Sequence, residues 1–236
     1  MSALYIVATP IGNLKDITFR AFEVLKEVDL VICEDTRVTQ KLLNHFEIKK
    51  PLISYFQHSK LSKIEYIIEQ LKQDKNLALV TDAGTPGISD PGNKLINKIL
   101  QVDPNIKIIP IPGPCAAIAA LSVSGFPTDN FIFAGFPPQK KGRNKFFDKL
   151  VRNSETVVFF ESPHRILKAL KQLHERLVEN HENTIRQIVV CRELTKKFET
   201  IYRGSVEYVF NQLNQEKPRG EYVIVLAGSG YKVANS

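Results

Sequence analysis

The chain has 236 residues and a mass of 26.7 kDa, a length that allows either one large α/β domain or two domains of roughly 110 to 120 residues. Hydrophobic residues make up 43% and charged residues 24% of the chain, so the composition excludes disordered and fibrous proteins. The formal net charge of +7 and the pI near 9.2 make a polyanion, such as nucleic acid, a candidate partner.

Short apolar or β-branched runs alternate along the chain with segments of helical periodicity, which is the pattern of α/β folds with largely parallel sheets. Ten strands are predicted, five in each half of the chain, at residues 4–8, 29–34, 52–55, 77–81, 106–111, 131–134, 156–161, 187–192, 200–203 and 222–227. Eight amphipathic helices are predicted between them, at residues 17–27, 37–46, 59–73, 94–101, 115–122, 143–152, 165–179 and 206–215.

The strongest break in this pattern is Ile111-Pro112-Gly113-Pro114, near the middle of the chain. It predicts an amino-terminal α/β lobe at residues 1–112 and a carboxy-terminal α/β lobe at residues 113–236. In α/β folds, ligands bind beyond the carboxyl ends of the strands. We therefore expect the active site at those strand ends, at the interface of the two lobes.

Several common classes of site are excluded because their motifs are absent. The chain has no Gly-x-Gly-x-x-Gly, no P-loop and no Gly-x-Ser-x-Gly, which argues against a dinucleotide site, an NTPase and a hydrolase. Cys33, Cys115 and Cys191 stand far apart without metal-ligand spacing, so no metal is expected and a reducing compartment is indicated. Without a leader pattern or an apolar run of the ~18 residues that a membrane span requires, we expect a cytoplasmic protein without membrane contact.

Four turn-rich segments follow predicted strands, at residues 9–14, 81–92, 111–117 and 159–165. The first is also explained by an ordinary turn, whereas the second holds more glycines and prolines than a plain loop needs. The third opens a helix with small residues, which suit either a ligand near the backbone N–H groups or tight helix packing. The fourth places Glu, Ser, His and Arg after a strand, which favours a site, with helix capping by Ser162 as the alternative.

Three charged segments are further candidates. Residues 34–37 and 192–197 mix positive and negative charges, so each is either part of a site or a self-contained salt-bridge cluster. Residues 137–147 carry four positive charges and two aromatic residues, a combination that suits phosphate contact and base stacking. For Phe146 and Phe147 themselves, a place in the core is the favoured alternative.

In this order and spacing, the segments resemble the tetrapyrrole methylase family of S-adenosylmethionine-dependent methyltransferases. The residues that carry the resemblance are 4–14, 34–37, 81–92, 111–114, 160–165, 192–196 and 219–222. The resemblance implies two α/β lobes of the tetrapyrrole methylase type, S-adenosyl-L-methionine in the inter-lobe cleft, and a homodimer. Carried over by position, it implies a cofactor site formed by Pro10, Gly84, Thr85, Ile88, Cys115, Ala116 and Glu161, with Asp82 as a further candidate.

Within the family, the likeness is to the branch that acts on the ribosome. Relatives that act on tetrapyrroles often have Gly-Asp-Pro in the central loop, where this chain has Gly84-Thr85-Pro86. The resemblance therefore implies 2′-O-methylation of the ribose of a decoding-centre cytidine in 16S ribosomal RNA. The role of Asp82 in this loop stays open.

A ribose hydroxyl is a poor nucleophile at neutral pH, so a general base, or a cation that stabilises the developing alkoxide, is expected. The candidates for the base are Asp35 and Glu161. The candidates for placing the phosphate or the 2′-oxygen are Arg37, Arg165 and Lys196.

The region from Lys140 to Lys149 is the expected RNA contact. Members of the group often continue well beyond the second lobe, whereas this chain ends at Ser236, so docking is expected on the lobes and the dimer partner. The candidate RNA-binding residues are Lys140, Lys141, Arg143 and Lys145.

Two alternatives of a different class remain. One is a small-molecule methyltransferase that acts on carbon of a tetrapyrrole, and the other is a non-catalytic RNA-binding factor on the same fold. Residues 34–37 and 160–165 favour the ribosomal enzyme over the first alternative. The intact cofactor loops speak against the second.

Overall fold

The computed structural model describes residues 2–56, 61–179, 186–215 and 217–231. The chain divides into two compact units, Met1–Cys115 and Ala116–Ser236, so the division falls after Cys115 rather than after Pro112. Each predicted strand and helix has a counterpart among the described residues, with ends shifted by up to two residues at most positions. The helix predicted over 59–73 begins on residues 59 and 60, which lie outside the described part of the chain.

The first unit is built on a parallel five-stranded sheet with the order β3-β2-β4-β1-β5. Its strands are β1 (Ala3–Val7), β2 (Leu30–Cys33), β3 (Leu52–Ser54), β4 (Leu77–Leu79) and β5 (Lys107–Ile111). Its helices are α1 (Phe19–Glu27), α2 (Thr36–His45), α3 (Leu61–Lys72) and α4 (Gly92–Val102).

Hydrophobic cores lie on both faces of this sheet, as a parallel sheet requires. Leu4 and Ile6 of β1 point to one face, where they belong to a cluster with residues of α3 and α4. Val7 points to the other face, in a cluster with Ala21 of α1 and Leu43 of α2. The strands are thereby fixed in register, and their carboxyl ends all meet at one edge of the sheet.

The second unit is built on a mixed sheet with the order β6-β7-β10-β8-β9. Its strands are β6 (Phe131–Phe133), β7 (Thr156–Glu161), β8 (Gln187–Arg192), β9 (Thr200–Ser205) and β10 (Tyr222–Leu226). Its helices are α5 (Ala116–Ser122), α6 (Arg143–Val151), α7 (Ile166–Glu179) and α8 (Val206–Leu213).

The expectation of largely parallel sheets is wrong for this second unit. Among the strands described in this unit, only β6 and β7 pair in parallel, whereas β10 runs antiparallel to both β7 and β8, and β8 runs antiparallel to β9. The physical reason is the connection between β8 and β9, residues 193–199, which is too short for a parallel crossover. A short connection between adjacent strands brings the second one back antiparallel.

Helices α6, α7 and α8 cover one face of this sheet and form a single core with it. Phe147 of α6, Phe159 of β7 and Leu170 of α7 are fully buried in that core. The predicted core position of Phe147 is therefore confirmed. Phe146 is partly buried and packs against the same core. Within the described segments, no helix is long and apolar enough to cross a membrane.

Candidate active site

The loops that follow β1 and β4 are joined at the carboxyl edge of the first sheet. Thr9 N–H donates to Gly84 O at 2.9 Å, and Gly84 N–H donates to Thr9 O at 3.0 Å. The buried Thr9 hydroxyl also donates to Thr81 O at 3.1 Å. Gly84 has a φ of +88°, a conformation that favours glycine. Pro10 and Gly84, two expected cofactor residues from distant segments, are therefore held side by side.

The central loop, residues 81–92, has an internal brace and an attachment to a third segment. The Asp90 carboxylate accepts hydrogen bonds from Gly87 N–H at 2.8 Å and from Gly92 N–H at 2.7 Å. The Thr85 hydroxyl donates to Pro114 O at 3.0 Å. This last bond brings Thr85 to the residue that precedes Cys115. Three of the segments expected to bind the cofactor are thus fastened together within the first unit.

The remaining expected cofactor residues lie as follows. Cys115 is half-buried at the end of the first unit, and Ala116 is the first residue of α5. The Ile88 side chain is exposed on the central loop. A large apolar side chain held in solvent by an ordered loop is available to pack against a ring system.

Asp35 and Arg37 form an ion pair at the start of α2. The Asp35 carboxylate caps the helix by accepting from Arg37 N–H at 2.8 Å, and it binds the guanidinium at 3.0 Å to Nε and 2.6 Å to Nη2. The Arg37 side chain is 86% exposed. Asp35 N–H donates to Asp82 Oδ1 at 3.1 Å. The ends of β2 and β4 therefore bring Asp35, Arg37 and Asp82 together.

The carboxylates at this edge differ in basicity. Hydrogen bonds from Arg37 lower the pKa of Asp35 to about 2. Partial burial raises the pKa of Asp82, and the nearby Asp35 charge adds to the rise, while the Asp35 N–H opposes it. Burial and the charges of Asp82, Asp90 and Asp35 likewise raise the pKa of Glu34. Asp35, expected as a base, is thus the weaker proton acceptor, and Asp82 is the stronger.

A cavity of about 200 Å³ adjoins this group and is lined mainly by carbon atoms. Strand-end residues form one side of it and α2 forms another. Its lining residues are Thr9, Pro10, Leu14, Val38, Thr39, Lys41, Leu42, Thr81 and Asp82. Val38, Lys41 and Leu42 were not predicted as site residues, although their spacing of three and four residues places them on one face of α2.

At the end of β7, Glu161 is bound between two arginines. Its carboxylate is 0% exposed and lies 3.1 Å from Arg143 Nη2 and 3.0 Å from Arg165 Nε. Its Oε1 also accepts from Ser162 N–H at 2.8 Å. Because its oxygens are enclosed and hydrogen-bonded, this arrangement favours a structural role for Glu161 over the predicted roles of base and cofactor contact. Arg165, expected to place the substrate, is occupied by the same carboxylate.

Arg143 is not the surface RNA contact that the sequence suggested. It is 4% exposed, and besides Glu161 it donates to Gln172 Oε1 at 2.7 Å and to Pro138 O at 3.3 Å. Its guanidinium also lies 5.2 Å from the centre of the Phe147 ring. The other expected RNA contacts, Lys140, Lys141 and Lys145, are exposed.

Lys196 belongs to a salt-bridge cluster, the alternative considered for its segment. Its ammonium lies 2.9 Å from both Glu193 Oε1 and Glu221 Oε2. Burial alone would lower the pKa of Lys196, but the two carboxylates more than offset it and the pKa is raised. The lysine is thus committed to neighbouring carboxylates. In the described ranges, no group of three or more histidines, cysteines or acidic residues is placed to hold a metal ion.

Comparison with known proteins adds independent information. Residues 3–209 match the family described as Tetrapyrrole (Corrin/Porphyrin) Methylases. The ribosomal RNA small subunit methyltransferase I of Buchnera aphidicola subsp. Schizaphis graminum is 45% identical over 229 residues, which are 95% of this chain and 78% of that protein. The protein of the same name from Thermotoga maritima is 42% identical over 228 residues, 97% of this chain and 99% of that protein.

Solved structures match the fold. The crystal structure of uroporphyrin-III C-methyltransferase from Thermus thermophilus has a TM-score of 0.63 at 19% identity, covering 96% of this chain and 94% of that chain. A likeness at this level of identity establishes the architecture and not the substrate.

Proposed function

The chain belongs to the tetrapyrrole methylase family, and from that premise we propose that it methylates the ribose 2′-hydroxyl of a decoding-centre cytidine in 16S ribosomal RNA. S-adenosylmethionine is the methyl donor of this family. The proposal extends to this chain the substrate in the name of relatives at 42% to 45% identity. We further propose a homodimer located in the cytoplasm, where small subunits are assembled.

The observation that carries the proposal is the convergence at the carboxyl edge of the first sheet. Thr9 with Gly84, Thr85 with Pro114, and Asp35 with Asp82 are each hydrogen-bonded across separate segments. Each segment is one that the resemblance marks. A constellation of polar and small residues at the strand ends of an α/β sheet is the expected form of an active site.

The residues present fit the methyl donor. The Thr9–Gly84 bridge and the Thr85–Pro114 bond supply a rigid wall of backbone, and the exposed Ile88 supplies an apolar surface for an aromatic ring. We assign donor binding to Pro10, Gly84, Thr85, Ile88, Cys115 and Ala116. When bound, the sulfonium group supplies an electrophilic methyl group, and the chain's part is to orient the acceptor oxygen and exclude water.

We assign the acceptor nucleoside to the cavity beside Asp82. Its carbon-rich lining suits a base, and Asp82 and Lys41 supply polar groups for a ribose. We propose that Asp82 takes the proton of the 2′-hydroxyl, since it lines the cavity and its pKa is raised, whereas that of Asp35 is lowered. Arg37, held by Asp35 with its side chain largely exposed, is placed to stabilise the developing alkoxide or to bind the adjacent phosphate.

We assign backbone contacts of the RNA to Lys140, Lys141 and Lys145. Reversing the charge of Lys140 and Lys141 to glutamate is expected to weaken binding of small subunits and to flatten its salt dependence, by about one in log–log slope for each lysine that no longer binds a phosphate. The matched control is charge reversal of Lys168 and Lys171, which are exposed on α7. An equal effect in the control would remove the assignment.

The function is tested by incubating the protein with labelled S-adenosylmethionine and small subunits that lack the modification. The methyl group is then mapped by nuclease digestion and mass spectrometry. The expected label lies on the ribose of one cytidine in 16S rRNA and forms far more slowly with Asp82→Asn. A label on a base, on protein or on a tetrapyrrole offered in competition would contradict the proposal.

A further inference from the structure

We propose that Phe136 is a stacking platform for an unpaired base of the substrate RNA, and that the Arg143–Glu161–Arg165 ion pairs are a positioning device for the loop that carries it. This inference rests on the proposed function and deepens it. Phe136 is not among the residues that line the cavity, and the buried ion pairs take no part in the proposed methyl transfer.

The Phe136 ring is both exposed and supported. It is 52% exposed, yet it contacts Phe160 edge-on, with ring centres 5.3 Å apart and planes at 61°. Phe160 in turn contacts Phe133 at 5.2 Å and 65°. A ring held by neighbours loses little conformational entropy when a base stacks on it, which is the property of aromatic residues in single-strand binding sites.

The loop that carries Phe136, residues 134–142, is fastened at several points. Gly135 O accepts from Phe160 N–H at 2.9 Å, and Lys140 O accepts from Arg143 N–H at 3.2 Å. Pro138 O accepts from Arg143 Nη1 at 3.3 Å. Arg143 is itself fixed by the Glu161 carboxylate, which is also bound to Arg165. The position of the aromatic ring and the lysines on this loop therefore depends on a fully buried carboxylate.

The segment that contains Phe136 carries a positive charge that suits a polyanion. No acidic residue occurs between Asp129 and Asp148, whereas Lys140, Lys141 and Lys145 are exposed in that interval. Arg143 does not add to the surface charge, because Glu161 neutralises it inside the unit. Stacking on an aromatic ring beside lysines that bind phosphates is how proteins hold single-stranded RNA without reading its sequence.

A second exposed phenylalanine in the same unit serves as the matched control. Phe198 is 66% exposed and has the Lys197 ammonium 5.5 Å from its ring centre. It differs from Phe136 in its charged surroundings, because Glu193, Glu199 and Glu221 lie in the neighbouring cluster. The carboxylates near Phe198 repel phosphates, so its exposure alone does not make Phe198 a stacking platform for RNA.

The absence of tryptophan from the chain allows a direct test. Phe136→Trp and Phe198→Trp each create a protein with a single indole fluorophore. Each variant is titrated with a single-stranded RNA oligonucleotide of the unmodified decoding-centre sequence and with intact small subunits. We expect both RNA forms to quench Phe136→Trp, because a stacked base quenches indole fluorescence, and neither to quench Phe198→Trp.

Kinetics test the same residue without a fluorophore. Phe136→Ala is expected to raise KM for small subunits roughly tenfold with little change in kcat. Phe136→Leu keeps an apolar side chain but has no ring for stacking, so it is expected to raise KM as Phe136→Ala does. Glu161→Gln should raise KM in the same way through the loop, and the double variant Phe136→Ala with Glu161→Gln should add little to either. A thermal unfolding curve for each variant ensures that only folded protein is compared.

Each outcome decides the matter. An unquenched Phe136→Trp, an equally quenched Phe198→Trp, or quenching by intact subunits but not by naked RNA would overturn the proposal, the last because it indicates a ribosomal protein as the partner. A Glu161→Gln variant that loses kcat and leaves KM unchanged would overturn the positioning role. Quenching by RNA in a protein that methylates nothing would contradict the proposed function and leave the stacking surface standing.

Discussion

The two units place the same chemistry, an acidic side chain paired with arginine, at a strand end, but they expose it differently. In the first unit, Asp35 binds Arg37, whose side chain is 86% exposed. In the second, the Glu161 carboxylate is 0% exposed between Arg143 and Arg165. The first pair leaves its cation exposed, whereas the second encloses the carboxylate and Arg143 and leaves Arg165 only 28% exposed.

This difference in exposure distinguishes an ion pair with a role in function from one with a structural role. A surface ion pair contributes little to stability, so its position beside the cavity favours a role toward a ligand. Loss of the buried carboxylate would leave Arg143 enclosed without a counter-charge. We therefore expect substitutions in the first unit to change turnover and substitutions at Glu161 to change stability and loop position.

The largest effect is expected for Glu161→Ala. Removing the carboxylate leaves Arg143 buried without its counter-ion, which should lower the free energy of unfolding by about 3 to 5 kcal/mol. Denaturation with urea measures it. Glu179→Ala, which removes the exposed carboxylate paired with Arg176 on α7, is the matched control and should change stability little. Equal stability of the two variants would show that burial does not distinguish the two pairs.

Asp82→Asn should abolish most of the turnover without unfolding the protein. Loss of a general base lowers kcat/KM by about 100-fold or more. Because the pKa of Asp82 is raised above the ordinary value of 3.8, the wild-type kcat/KM should fall as the pH drops through that raised pKa. The remaining activity of the variant should lack this acid limb. An unchanged pH profile would exclude Asp82 as the base.

Arg37→Ala should lower kcat/KM roughly 10- to 100-fold, less than loss of an enclosed donor, because the guanidinium is largely exposed. Arg37→Lys should restore part of the rate by supplying a cation without the planar fork. Unfolding by urea should not distinguish either variant from the wild type. If Arg37→Ala turned over at the wild-type rate, the exposed pair would have no catalytic part.

The smallest effect concerns stability in acid. Asp35 has a pKa of about 2 in the folded protein against an ordinary value of 3.8. Since the folded pKa is the lower one, its contribution to stability is complete above the ordinary value and is lost as the pH falls through about 2. Asp35→Asn should therefore give a shallower loss of unfolding free energy between about pH 4 and pH 2. If the unfolding free energy of Asp35→Asn fell with pH as steeply as that of the wild type, the Asp35–Arg37 ion pair would not form in solution.

The elements of the fold were predictable because their signals are local. The strands at Thr156–Glu161 and Gln187–Arg192 match the sequence prediction at both ends, since each contains a run of β-branched or aromatic residues. The antiparallel pairing of the second sheet was missed. It depends on the length of the β8–β9 connection and on β10 joining between β7 and β8, a long-range arrangement that periodicity does not encode.

The sequence predicted which segments form the site better than it predicted the role of each residue in them. Sequence motifs marked Glu161 and Arg143 as functional, but burial decides what a charge does, and burial arises from packing. One signal for Arg143 was available, because Arg143, Phe147 and Val151 recur at intervals of four on the buried face of α6. Such spacing predicts that the Arg143 side chain faces the core, whereas the neighbouring lysines face the solvent.

The most direct test compares Arg37→Gln with Glu161→Gln in one measurement. The rate of methyl transfer to unmodified small subunits is determined at saturating substrate and divided by the folded fraction of each variant. We predict that folded Glu161→Gln retains the wild-type kcat, while Arg37→Gln, folded as fully as the wild type, loses most of it. A folded Glu161→Gln with a kcat as low as that of Arg37→Gln would contradict the division between a reactive and a supporting strand end.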